Sequence, residues 1–170
     1  MNKKLGLVGC GYWGPNIVRN IQKTQNMSLQ FVVDQNEEVI KKLPPTSFYQ
    51  DLDTALARHG DVDGVIVATP ISTHYAIAKQ VLEAGKSVLI QKPMAMSVEE
   101  CDELEEIAKR KTLTVMIAHT FLFTGAVRKL KELANSGSIG ELKHFDSTRI
   151  NLGLFQRDSN VVWDLAPHDF

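Results

Sequence analysis

Gly9-Cys10-Gly11-Tyr12-Trp13-Gly14 follows the apolar run Leu5-Gly6-Leu7-Val8 and precedes a helix-like segment, Pro15 to Thr24. A strand, a glycine turn and a helix in that order form a cradle for a pyrophosphate. Gly9 permits the tight turn, Gly11 lets the backbone approach the phosphates, and Gly14 lets the helix pack close to the strand. Free N–H groups and the positive end of the helix dipole then face the negative charge. Tyr12 and Trp13 belong to the same cradle. Pro15 stands where a first helical residue belongs, and its missing N–H costs little there.

Glycine-rich turns are common, so the next strand matters. Leu29-Gln30-Phe31-Val32-Val33 ends in Asp34, 20 positions after Gly14. An acid about 20 residues beyond the glycines reaches an adenosine ribose diol. A methyltransferase-type nucleotide site shares these features and stays open at this point.

Outward from this unit, strand-like and helix-like segments alternate. Further strands are expected at Ser47–Tyr49, Gly64–Ala68, Ser87–Ile90 and Thr114–Ile117. Gln35 to Leu43 reads as a short polar helix closed by Pro44-Pro45. Asp51 caps a helix that Gly60 ends, and Tyr75 to Ala84 carries Ile77, Ala78, Val81 and Leu82 at helical spacing. Ser97 and Glu100 form a capping box ahead of a helix with Val98, Cys101, Leu104, Ile107 and Ala108 inward. The expected fold class is α/β, a doubly wound parallel sheet spanning residues 1–119. Its ligand belongs outside the carboxyl ends of the strands, where Gly9, Asp34, Thr69 and Lys92 fall.

After Ala118 the pattern changes, and residues 120–170 read as the start of a second domain. Ala126, Val127, Leu130, Leu133 and Ala134 form an amphipathic helix ended by Gly137. Gly140 to Leu152 reads as one long strand with a bulge, followed by a polar loop, Gln156 to Asn160. Asp164 and His168 share a face if a helix starts near Asp164 or Leu165, because Pro167 is tolerated only in a first turn.

A chain of 170 residues, 44% hydrophobic and 23% charged, can build a sizeable core. A net charge of −1 with intermixed signs gives no basic stripe for nucleic acid and no polybasic membrane patch. No apolar run reaches transmembrane length, so a cytoplasmic protein is expected. Cys10 and Cys101 are too few and too far apart for a zinc site, and no metal is expected. Cys101 fits a helix core face; oxidation of Cys10 would obstruct the cradle.

Three places invite chemistry. Gln91-Lys92-Pro93 follows a strand, and a lysine there can hold a hydroxyl and steady an alkoxide. Asp164 can orient His168 to take a proton near neutral pH. Thr69 and Pro70 line the crevice, with His74 capping or packing there, and His74, Gln91 and Lys92 are counted with them among the expected cofactor-binding residues. The first two have bland counterparts: a solvated lysine, and a helix-capping acid beside a histidine.

Taken as a set, the chain resembles the Gfo/Idh/MocA family, the glucose–fructose oxidoreductase and inositol dehydrogenase group. The matching residues are Gly9 to Gly14, Asp34, Ala68-Thr69-Pro70 with His74, Lys92-Pro93, and Asp164 followed by His168. The resemblance implies a Rossmann domain and a C-terminal α/β domain whose mostly antiparallel sheet serves homo-oligomerisation. It implies NAD(P)-linked chemistry on a hydroxyl of a sugar, cyclitol or nucleotide sugar, the last suggested by the stretch from His144 to Phe170. Lys92 and His168 become the catalytic pair with Asp164 assisting. Asp34 favours NAD over NADP, since a carboxylate there repels a 2′-phosphate. A methyltransferase has no use for Lys92-Pro93 or the Asp164/His168 pair.

Two departures qualify the expectation. Gln91 stands where the family has glutamate and brings no charge, so altered activity is expected. The family also runs much further than Phe170, which reads as a truncated product or fragment that keeps the crevice and turns over weakly or not at all. A non-catalytic dinucleotide-binding protein or sensor is the alternative function. A third is an enzyme that cleaves glycosides through transient oxidation.

Overall fold

In the computed structural model, which describes residues 2–149 and 160–168, six strands form one parallel sheet. They are β1 (Lys3–Val8), β2 (Met27–Val33), β3 (Ser47–Tyr49), β4 (Gly64–Val67), β5 (Ser87–Ile90) and β6 (Val115–Ile117). Helices α1 (Gly14–Lys23), α2 (Leu52–Arg58), α3 (His74–Glu83) and α4 (Val98–Lys111) connect them, with a 3-10 segment, Glu37–Lys42, between β2 and β3. The order across the sheet is β3-β2-β1-β4-β5-β6. β1 therefore pairs with β2 on one side and β4 on the other. The chain winds outward to β3, crosses back, and winds outward to β6. The reversal between β1 and β4 is the switch point at which such sheets bind ligands.

Residue alternation within the strands makes two cores. Val8, Phe31, Val33, Val65 and Val67 face one side and pack with Leu52, Ala78, Val81 and Leu104 from α2, α3 and α4. Leu7, Val32 and Ile66 face the other and meet Val18 and Ile21 of α1. Both faces are covered, which is why these strands read as continuous apolar runs rather than alternating ones. Each fully buried aliphatic or aromatic side chain contributes about 1.5–3 kcal/mol.

Local signals set the element ends. The Asp51 carboxylate accepts from the Thr54 N–H at 2.8 Å and starts α2. Ser97 Oγ accepts from the Glu100 N–H at 3.2 Å, and Glu100 in return accepts from the Met96 N–H at 3.0 Å. α1 begins one residue earlier than expected, so Pro15 occupies its second position. Between β2 and β3 the expected helix is a 3-10 turn, because the prolines that follow cut it short.

Gly6 has a role that its sequence context does not advertise. It sits in mid-strand, where the β1–β2 register shifts, and a Cβ there would lie 2.2 Å from Cζ of Phe31. The Phe31 ring is fully buried and packed against Tyr49 and His59, with centroids at 6.3 and 5.4 Å. It has nowhere to retreat. Gly6→Ala is expected to cost about 2 kcal/mol through overpacking. Urea denaturation should show a lower midpoint with an unchanged slope; an unmoved midpoint would mean that the ring swings aside.

The chain divides into two compact units, Met1–Ile117 and Ala118–Phe170. In the second, a 3-10 turn (Thr120–Phe123) precedes α5 (Gly125–Asn135), and α6 (Val161–Leu165) runs into a 3-10 turn at Ala166–His168. Two expectations are corrected here. Residues 140–149 form no strand; a strand needs a ladder partner, and none pairs with them among the described residues. The rest of that expected strand, and Gln156 to Ser159 of the expected polar loop, lie outside the described residues. The last helix starts at Val161, not near Asp164, because the Asn160 side chain accepts from the N–H groups of Val162 and Trp163. Pro167 then falls after the α-helix, in the 3-10 turn. The C-terminal antiparallel sheet implied by the resemblance is not present among the described residues.

Candidate functional site

Three glycines shape the crevice, each differently. Gly9 leaves β1 at φ +84°, and its N–H donates to the Val33 carbonyl at 2.8 Å. A Cβ on Gly9 would lie 2.6 Å from the Ala68 carbonyl oxygen and 2.8 Å from Thr69 Cγ2. The tip of β1 is thus pressed against the tip of β4. A Cβ on Gly14 would lie 2.5 Å from Cys10 Sγ, so the start of α1 packs onto the turn beneath it. Gly11 differs: a Cβ there would have no heavy atom within 4 Å. Packing does not demand glycine at 11, and the backbone there is open to close approach.

Asp34 ties this turn to β2. One carboxylate oxygen accepts from the Cys10 N–H at 2.7 Å, the other from the Asn36 N–H at 2.9 Å. An ionised carboxylate offers about four lone-pair sites, so acceptor capacity is left for a diol. Cys10 is buried, and burial raises its thiol pKa, with the Asp34 charge adding to the effect. The thiol is therefore held protonated and serves as a small apolar spacer under α1.

Gly9, Gly11, Asp34, Thr69 and Pro70 line one cavity of about 710 Å³, within the range of cofactor pockets. The same cavity is also lined by residues that sequence reasoning missed as site residues: Gln35, Asp51, Asp53 and Gln80. The Gln80 amide donates to Asp53 at 2.7 Å and joins α3 to α2 there. The sequence does carry a signal for Asp51, which follows β3 by two residues at the same sheet end as Asp34; its role as a helix cap masks it.

The other expected site residues are placed differently. Tyr12 and Trp13 are exposed at the start of α1, edge to face with centroids 5.5 Å apart, and are not among the cavity's lining. His74 is 1% exposed and does not line the cavity. Its Nδ1 lies 2.8 Å from the Pro93 carbonyl oxygen and its Nε2 2.9 Å from that of Thr69. Both of its ring nitrogens are thus engaged with main-chain oxygens. Gln91 and Lys92 follow β5; the Gln91 N–H donates to the Val67 carbonyl at 2.9 Å, and the Lys92–Pro93 peptide is cis. Neither side chain lines the 710 Å³ cavity. Asp164 lies in α6 and His168 ends the following turn, both within the second unit.

Sheet order, switch-point cavity and glycine cradle together define a Rossmann dinucleotide-binding unit. The family model for the Gfo/Idh/MocA oxidoreductases, described as having an NAD-binding Rossmann fold, matches residues 3–119, and the chain belongs to this family. An uncharacterized oxidoreductase of Streptococcus pneumoniae is 32% identical over 161 residues, 94% of this chain and 43% of that protein. The 2,7-anhydro-N-acetylneuraminate hydratase of Mediterraneibacter gnavus is 33% identical over 92% of this chain and 41% of its own length. The structure of scyllo-inositol dehydrogenase from Lactobacillus casei, with NAD(H) and scyllo-inositol bound, superposes with a TM-score of 0.75 at 26% identity, covering 83% of this chain and 43% of that one. The chain thus spans less than half the length of these relatives. The family and its nicotinamide cofactor, NAD, agree with the reading of the sequence.

Proposed function

We propose that this protein is an NAD-linked oxidoreductase acting on a hydroxyl of a sugar, cyclitol or nucleotide sugar. The observation that carries the reading is the crevice, where Gly11 leaves the backbone open and Asp34 stands at the next strand end. The likeness to scyllo-inositol dehydrogenase supports a polyhydroxylated small-molecule substrate. Gly11 and the start of α1 receive the pyrophosphate: the N–H groups of Gly11, Tyr12 and Trp13 have no hydrogen-bond partner among the described residues. Asp34 accepts from the ribose diol. NAD, when bound, supplies the hydride acceptor. The Lys92 ammonium steadies the alkoxide, His168 takes the hydroxyl proton, and Asp164 orients that imidazole.

A redox-neutral outcome is the second reading, and the hydratase relative favours it. A panel of sugars, cyclitols and nucleotide sugars, incubated with NAD or NADP, tests both. Accumulating NADH supports the dehydrogenase. Product without net NADH supports the redox-neutral enzyme. Cofactor binding with no conversion of any panel member supports the non-catalytic alternative.

Asp34→Ala is expected to weaken NAD binding about 10- to 100-fold, since a charge-assisted hydrogen bond contributes roughly 1.5–3 kcal/mol. It should also narrow the preference for NAD over NADP, by removing a charge that repels a 2′-phosphate. Calorimetric titration with each cofactor checks this, and an unchanged NAD/NADP ratio would mean that another group sets the selectivity.

A further inference from the structure

His74 is the only buried polar residue among the described ones, and it is 1% exposed. It is the first residue of α3, and no role in the chemistry above uses it. Both of its ring nitrogens meet main-chain oxygens: Thr69 at 2.9 Å, at the tip of β4, and Pro93 at 2.8 Å, in the turn after β5. A carbonyl oxygen only accepts and a neutral imidazole carries a single N–H, so the tautomer decides which of the two oxygens takes the hydrogen bond, and only a ring bearing both N–H groups bonds the two at once. The two oxygens belong to two separate loops at the same end of the sheet. One loop carries Thr69 and Pro70, which line the cofactor crevice. The other carries Lys92.

The β4 loop is itself tied down. The Thr73 hydroxyl lies 2.8 Å from that of Thr69 and 2.7 Å from the Pro70 carbonyl oxygen, and the Thr73 N–H donates to the same carbonyl at 3.0 Å. The loop after β5 is joined to this region before and after Lys92. The Gln91 N–H donates to the Val67 carbonyl on one side, and the His74 ring meets the Pro93 carbonyl on the other. A purely apolar side chain of similar size would fill the volume and offer neither oxygen a donor.

We propose that His74 is a positioning residue that clamps the Lys92–Pro93 turn to the Thr69–Pro70 turn and so fixes Lys92 relative to the cofactor crevice. The proposal rests on the role assigned to Lys92 above. It requires that loss of the ring loosen these two turns selectively and lower turnover, with cofactor affinity little changed.

Hydrogen exchange and calorimetry on the full chain test it without substrate. In His74→Ala, peptides covering residues 68–73 and 91–96 should exchange faster, while those of β1 and β2 keep their protection. NAD affinity should stay within about threefold of the parent. His74→Gln, whose amide nitrogen carries two N–H donors, should restore part of the protection, and His74→Phe should not. Uniform acceleration of every peptide would overturn the proposal by making His74 a general core residue, as would unchanged exchange in both turns. On the panel substrate that the parent converts best, kcat should fall about 10- to 100-fold, the scale of an ångström-level misplacement. In a Lys92→Ala background the same His74→Ala change should add almost nothing, because both act through one group; full additivity would overturn the proposal. Failure of the parent chain to bind NAD at all would count against the proposed function and leave the exchange result to decide the clamp.

Discussion

Gly11→Ala is expected to remove most NAD affinity while leaving the fold intact. The two halves of that result come from different measurements on one methyl group. A Cβ at Gly11 would have no protein atom within 4 Å, so the added methyl meets no steric resistance. Gly11 is not among the glycines held at positive φ, so alanine adopts its backbone without strain. Thermal unfolding should therefore stay within a few degrees of the parent. The methyl does enter the space through which a pyrophosphate must come close to the backbone. An affinity loss of about 100-fold, or 2.7 kcal/mol, is expected by calorimetry. The neighbouring Gly9→Ala makes the contrast. At φ +84°, with the Ala68 carbonyl 2.6 Å away, it should lose stability and affinity together. Equal NAD affinity in Gly11→Ala and the parent would mean that the ligand does not approach the turn as the crevice suggests.

The same contrast marks how far the sequence is legible. The spacing of Gly9, Gly11, Gly14 and Asp34 identifies a cradle, yet it treats the three glycines as one signal. Only the packing separates them: a Cβ at Gly9 or Gly14 would meet Ala68 or Cys10, whereas one at Gly11 would meet no protein atom within 4 Å. The four central strands, β1, β2, β4 and β5, are legible because both sheet faces are buried there, and short apolar runs bounded by turn residues fit a strand covered on both sides. Gly6 is not legible as a packing residue. Its partner, Phe31, lies in another strand at a register that no local pattern encodes. His74 stands out in the sequence, but its two carbonyl partners are 5 and 19 residues away, on turns brought together only by the parallel pairing of β4 with β5.

The departures beyond Ala118 each have a physical origin. The apolar pattern from Gly140 onward satisfies strand propensity, but propensity describes fit to a pleated, half-buried surface rather than a backbone preference. Without a neighbouring strand among the described residues, Leu142 and Phe145 remain exposed and residues 140–149 irregular. Pro167 alone argues for a late start to the last helix, and Asn160 outweighs it. A side-chain oxygen that meets two orphan N–H groups is the stronger determinant of where a helix begins.

Lys92→Ala tests the chemistry and leaves the cofactor site alone. Lys92 stands two residues beyond β5, whose neighbour β4 leads directly into Thr69 and Pro70 of the crevice wall. Lys92 is not among the lining residues of the NAD cavity, so NAD affinity should change by no more than about threefold. Turnover is a separate matter. A cation beside a developing alkoxide interacts far more strongly with the transition state than with the neutral hydroxyl, so its loss falls on kcat. Removing one such donor typically lowers kcat about 100- to 1,000-fold. Lys92→Arg should recover little of this, because a planar guanidinium cannot replace a compact ammonium at a single oxygen. Steady-state kinetics on the panel substrate converted best, paired with calorimetric NAD titration of each variant, separates the two quantities. If kcat in Lys92→Ala stays within about threefold of the parent while NAD still binds, alkoxide stabilisation belongs to another group. If NAD binding disappears with turnover, Lys92 is part of the cofactor site, and the clamp at His74 then acts on binding rather than on chemistry.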